Sequence, residues 1–167
     1  VNAAQQKNQQ EVVKGGENMY WIEGWVEVTY CHGSEQDDEY AWQSLINILT
    51  LINAADSTSE RLFGLSKRCT AREVSIESLA AGRGAPPNPS AQVKAELNSI
   101  KELEQQYGPG ECGGYTHATW QEIKSASIGE EALQRSDWKC VFDLVRHLEQ
   151  SQRYSDDQVR FVVWLNW

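Results

Sequence analysis

The strongest constraint on the fold is the run Val159-Arg160-Phe161-Val162-Val163-Trp164-Leu165-Asn166-Trp167. Its β-branched and aromatic residues favour a strand. A strand with one wet face alternates apolar and polar residues, whereas this run is almost continuously apolar, as strands buried on both faces are. The run therefore predicts a central strand. A second strand is predicted over 20–30, where Ile22, Val26, Val28 and Tyr30 alternate with Glu23, Trp25, Glu27 and Thr29. That pattern reads as a half-buried strand lying beside 159–167, with Gly24 marking a bulge or a close approach of another backbone.

Between these strands the apolar period changes. Trp42, Leu45, Ile46, Leu49 and Ile52 form a stripe at helical spacing, broadened by Ile48 and Leu51, and Asp37-Asp38-Glu39 precedes it. Negative charge suits a helix N-terminus, so a helix is predicted from about 37 to 55. Ser57-Thr58-Ser59-Glu60 has the spacing of a capping box before a short helix through Leu62, Phe63 and Leu65. Residues 66–92 read as irregular, because Gly82-Arg83-Gly84-Ala85-Pro86-Pro87-Asn88-Pro89 can form neither a regular helix nor a central strand.

Ser90 is positioned to cap a helix to about Tyr107, with Val93, Leu97, Ile100 and Leu103 facing the core. Residues 111–119 read as a glycine-rich loop, followed by a second capping box, Thr119-Trp120-Gln121-Glu122. Ser136 caps a last helix from Asp137 to about Gln152, with Trp138, Val141, Val145 and Leu148 inward. The reading is one α+β domain over 19–167. A small mixed sheet carries the strands near 20–30 and 159–167, and three to five helices pack on it. Residues 1–18 read as a polar, Gln-rich arm or tail.

Composition narrows the function classes. A net charge of −9 opposes direct nucleic-acid binding, which needs a basic footprint, and opposes binding to anionic membranes. It suits a basic protein partner or a solvated acidic surface. No run approaches the roughly 18 apolar residues of a membrane span. Cys31, Cys69, Cys112 and Cys140 are too scattered for a zinc knuckle or redox motif and read as free thiols in a reducing compartment. No metal and no cofactor are expected, and a cytoplasmic location follows.

The candidate ligand-binding residues are Arg83, Tyr115, His117 and Trp120. His117 follows the Gly113-Gly114 pair and precedes a helix start, a place for an acid/base or ligand-contacting imidazole. Its competing role is to lock the loop by bonding a backbone carbonyl. Arg83 lies between two glycines, free to grip a phosphate or carboxylate or to pair with one of the many acidic side chains. If Arg83 and His117 share a cleft, the pair suits a phosphate-bearing or nucleotide-like ligand.

Glu35, Asp37 and Asp38 form an acidic cluster that lacks the spacing of a calcium loop and is the candidate partner-binding patch. Cys31 and His32 are adjacent, so within a strand they point to opposite faces. His147 lies off the apolar stripe of its helix and reads as a surface residue. No nucleophile elbow, P-loop or dinucleotide fingerprint is present. No catalytic residues are assigned, and an enzyme is the less favoured reading, since such chemistry needs at least two positioned groups.

Five segments, in this order, resemble a family of small, mostly uncharacterised proteins of bacteriophages and prophages. They are Trp21-Ile22-Glu23-Gly24-Trp25-Val26-Glu27-Val28, Asp37-Asp38-Glu39-Tyr40, Arg83-Gly84-Ala85-Pro86 with Ser90, Thr116-His117-Ala118-Thr119-Trp120, and the apolar strand from Val159 to Asn166. Members of that family open on a Cys-Asp-Ile-His-like strand, where this chain reads Val1-Asn2-Ala3-Ala4, so the resemblance carries no reaction over. It implies a phage or mobile-element accessory protein acting in the host cytoplasm; the acidic charge and the lack of a complete catalytic set favour action by binding a host or viral protein partner. A virion-associated role and homo-oligomerisation stay open. The alternative is an enzyme or sequestering protein for a phosphate-bearing molecule, using Arg83 and His117.

Overall fold

The structure, a computed structural model, describes residues 21–29, 41–52, 55–66, 78–108, 112–128 and 133–166. Four strands, β1 (Trp21–Thr29), β2 (Trp42–Asn47), β3 (Cys112–Thr119) and β4 (Val159–Asn166), form one sheet in the order β2-β1-β4-β3. The apolar C-terminal run is central, as its pattern requires, and every residue from Val159 to Leu165 is buried. It pairs with β1 from Trp21 opposite Asn166 to Val28 opposite Val159. Within this α+β fold every strand pairing among the described residues is antiparallel, including the long-range ones, where a mixed sheet was expected.

Four α-helices lie among the described residues: α1 (Ser57–Phe63), α2 (Ala91–Tyr107), α3 (Trp120–Ser125) and α4 (Trp138–Gln150). Side chains alternate across a strand, so the two faces of the sheet bury different sets. Ile22, Val26, Val28, Phe161 and Val163 join residues of α1, α3 and α4 in the main core. Phe161 is its hub, 5.7 Å from Phe142, 6.2 Å from Trp120 and Trp138, and 6.4 Å from Phe63 between ring centroids. Tilted and edge-on pairs of this kind add about 0.5–1.5 kcal/mol each beyond area burial. On the other face, Val162 and Trp164 pack with Val93 and Leu97 of α2. The covering of both faces is why the last strand tolerates almost no polar residue.

Ser90 caps α2 by accepting a hydrogen bond from the Val93 N–H, and Thr119 and Glu122 close the box that starts α3, both as read from sequence. The cap of α1 is one residue earlier than expected, at Asp56, whose carboxylate accepts from the Ser59 N–H. The last helix runs from Trp138 to Gln150, and the Ser136 hydroxyl accepts from the Trp138 N–H.

Two expectations are corrected. Trp42–Asn47 is a strand, not part of a helix, although residues 30–40 lie outside the described set. The edge of β1 offers ladder hydrogen bonds that override the local helical spacing. The spacing has a real but smaller source. A single turn, with the Ile48 carbonyl accepting from the Leu51 and Ile52 N–H groups, buries Ile48 and Ile52 together.

Residues 112–119 are likewise a strand, not a loop. The register of β3 shifts between Gly113 and Thr116, and Gly114 takes φ 69° there, so the glycine pair makes a bulge inside the strand. The expected close approach at Gly24 is present: a Cβ there would lie 2.1 Å from the Val162 carbonyl oxygen.

Candidate functional site

The loop 82–90 runs across the α2-covered face of the sheet and bonds to its four strands in spatial order. The His117 Nδ1–H of β3 donates to the Gly84 carbonyl at 3.0 Å. Arg160 of β4 donates through Nη2 to the Asn88 carbonyl at 2.7 Å and through Nη1 to Asn88 Oδ1 at 3.1 Å. Glu27 of β1 accepts the Ser90 N–H at 2.8 Å. Ser44 of β2 shares a hydroxyl hydrogen bond of 2.6 Å with Ser90. Glycine and proline remove the option of a helix or ladder here, so the backbone groups of the loop are satisfied by side chains of the sheet.

The centre of this row is an ion pair. Arg160 Nε lies 2.7 Å from Glu27 Oε2, with side chains 6% and 0% exposed. Glu27 was expected on a half-buried strand; it is buried because α2 and its leading loop close over it. Burial pulls the Arg160 guanidinium below its ordinary value, and the Glu27 carboxylate counters that pull. The guanidinium also stacks on Trp42, 3.9 Å from the ring centroid. An ion pair this dry is stable only when its remaining hydrogen-bonding capacity is filled, and Asn88 and Ser90 fill it.

The structure brings Arg83 and His117 together: both bond backbone carbonyls, and Arg83 also pairs with the Glu122 carboxylate. Arg83 Nη1 donates to the His117 carbonyl at 3.3 Å and to Glu122 Oε1 at 2.8 Å, and Nη2 donates to the Leu79 carbonyl at 3.0 Å. With the His117–Gly84 bond and the bond from the Gly84 N–H to the Tyr115 carbonyl, these contacts tie the loop to β3. Burial alone would raise the Glu122 carboxyl, but the Thr119 N–H and the Arg83 guanidinium hold it below the usual carboxylate range.

Tyr115 is half-buried, its ring 6.1 Å from that of Trp164, and burial together with nearby negative charge pushes its hydroxyl well up. Trp120 is in the main core, 1% exposed, with its N–H donated to Glu149 at 2.9 Å. It packs with Phe161, whereas His117 pairs with Val162 on the opposite face. Glu35, Asp37 and Asp38 lie outside the described residues, as do Cys31 and His32. His147 is exposed on α4.

Two concavities flank α2, and neither was foreseen. One, of about 630 Å³, lies between Trp42, the Pro86–Pro89 stretch and the Lys94, Asn98 and Lys101 side of α2. The other, of about 250 Å³, has Glu23, Glu96, Leu49 and Leu103 in its walls. Both Glu carboxylates there are oriented by indoles: Trp164 Nε1 donates to Glu23 Oε2 at 3.0 Å, and Trp25 Nε1 to Glu96 Oε2 at 2.9 Å. Asn166 and Gln92 donate to their other oxygens at 2.7 and 2.9 Å.

The spacing of Lys94, Asn98 and Lys101, one face of a helix at i, i+4 and i+7, was the available signal for the first. Charged residues inside Val- and Trp-rich strands, Glu27 and Arg160, were the signal for the buried pair. Among the described residues no three His, Cys, Asp or Glu side chains are placed to hold a metal ion, and no helix is long and apolar enough to cross a membrane. No protein-family model, curated protein or solved structure matches this chain.

Proposed function

We propose that this chain is a protein-interaction module, an accessory protein of the phage type its motifs resemble, which binds a basic and partly apolar segment of its partner. The observation that carries the reading is the Glu23–Glu96 groove. Its two carboxylates are held by neutral donors only, and neither has a cationic partner among the described residues. Two fixed negative charges beside a small apolar groove favour a lysine or arginine flanked by aliphatic side chains.

The rim supports the same chemistry. Leu49 and Leu103 are 42% and 54% exposed, and Tyr107, one turn beyond Leu103 on α2, is 76% exposed. A net charge of −9 steers a basic partner towards the surface over longer range.

Binding of a synthetic peptide of alternating Lys and Leu, measured by calorimetry against a Glu/Leu peptide of equal length, tests the reading. Saturable binding of the basic peptide alone is expected. It should weaken about tenfold in Glu23→Gln/Glu96→Gln, which keeps the indole acceptors but removes both charges, and weaken as well in Leu103→Asp. Equal binding of both peptides, or unchanged binding by these variants, refutes it.

A further inference from the structure

The second concavity has the opposite chemistry. Lys94 and Lys101 lie in its wall, and none of its described lining residues is a carboxylate, in a chain with 24 acidic and 15 basic residues. Neither lysine side chain has a hydrogen-bond or ion-pair partner among the described residues, in contrast with Lys124 and Lys139, which pair with Glu149 and Asp143. The two lysines are seven positions apart on the helix, about 10.5 Å along the axis, a distance their long side chains can close on a shared anionic group. Asn98 stands between them.

The facing wall is aromatic and rigid. Trp42 is partly exposed in the cleft, and the Arg160 guanidinium lies against its ring at 3.9 Å. Arg160 is in turn fixed by Glu27 and by two bonds to Asn88, itself a lining residue. The indole is therefore held in place before any ligand arrives, which lowers the ordering cost of binding. Pro86, Pro87 and Pro89 stiffen the adjoining wall.

We propose that this cleft binds a nucleoside phosphate, its planar base against Trp42 and its phosphates between Lys94 and Lys101. The volume of about 630 Å³ falls among small-ligand sites, roughly 300–1,000 Å³. A flat aromatic wall with side-chain amides nearby suits a base, and paired ammonium groups suit phosphate oxygens. An acidic peptide would use the lysines but leave the indole wall without a partner. The site shares no residue with the Glu23–Glu96 groove, so either assignment can fail without the other.

Calorimetric titration with AMP, ADP, ATP, pyrophosphate and a Glu-rich peptide tests the proposal, at low and at physiological salt. Saturable binding of ADP or ATP is expected, weakening as salt rises and tighter than that of pyrophosphate. Lys94→Gln and Lys101→Gln should each weaken ADP binding about tenfold, with the melting temperature of the unliganded protein unchanged because both side chains are exposed. Trp42→Phe should keep affinity for ADP above that for pyrophosphate, whereas Trp42→Leu should remove the difference. The absence of nucleotide binding, full binding by Lys94→Gln/Lys101→Gln, pyrophosphate binding as tightly as ADP, or binding of the acidic peptide alone would each overturn the proposal.

Discussion

Arg160 and Glu27 stand directly opposite each other on β4 and β1, with Nε and Oε2 2.7 Å apart beneath the loop that leads into α2. The pair joins the two central strands, holds Asn88 and Ser90 of that loop, and backs the Trp42 ring. One charged contact thus positions the end of the sheet on which the cleft is built.

Breaking the pair from either side should be costly. Glu27→Gln leaves a buried guanidinium without its counter-charge, and Arg160→Met leaves a buried carboxylate. Each is expected to destabilise the fold by about 3–5 kcal/mol. The double variant should lose clearly less than the sum of the two, since neither charge is then stranded. Urea denaturation midpoints of the four proteins measure this, and strict additivity would contradict the structural role given to the pair.

Gly24 should admit no side chain. An added Cβ would meet the Val162 carbonyl oxygen at 2.1 Å and Val163 Cα at 2.8 Å, both backbone atoms of the central strand, at φ 148°. Gly24→Ala is expected to cost about 2–4 kcal/mol. Gly84→Ala has open space around the new atom and should cost only the strain of φ 76°, about 1 kcal/mol. Thermal melts of the two variants should therefore separate widely.

The Glu122 contacts predict an acid-side dependence. Its folded-state pKa lies below the ordinary value, so the charged form is favoured in the folded protein. The resulting stability is complete above the unfolded-state pKa, about 4.3, and is lost as pH falls through the folded-state value. The advantage of the wild type over Glu122→Gln should be constant from pH 7 to pH 5 and shrink below about pH 4.3. Denaturation at a series of pH values checks this; a gap that persists unchanged to pH 2 would show that the Arg83 and Thr119 contacts do not depend on the charge.

The legible parts of the fold were those whose signal is carried by one segment. The caps at Ser90 and Thr119 are local geometry, since a hydroxyl and an N–H three residues apart meet whatever lies around them. Helices α2 and α4 followed from their periodicity, except that Leu103, read as facing the core, is 54% exposed on α2. The segment Trp42–Asn47 misled because its apolar residues fit a helix face, while the decisive partner, the edge of β1, is distant in sequence. Gly113 and Gly114 suggested a loop because a bulge needs the same backbone freedom as a turn. For Arg83 and His117 the sequence posed a shared cleft only as a condition. A backbone carbonyl for His117 and an acidic side chain for Arg83 were among the roles the sequence offered, and which carbonyls and which carboxylate they reach depends on where the loop lies over the sheet.

By itself the sequence determined that a double-sided apolar strand ends the chain beside a strand near its start, that capped helices lie between them, and that the surface is acidic. Each of these follows from residue type and spacing. Tertiary structure alone decided that Glu27 and Arg160 meet, that Trp42 is stacked on that guanidinium, and that carboxylates gather on one flank of α2 and lysines on the other. The first two are contacts between residues far apart in the chain, with a chemistry set by burial, and the third depends on which elements flank the helix, so no single segment encodes them.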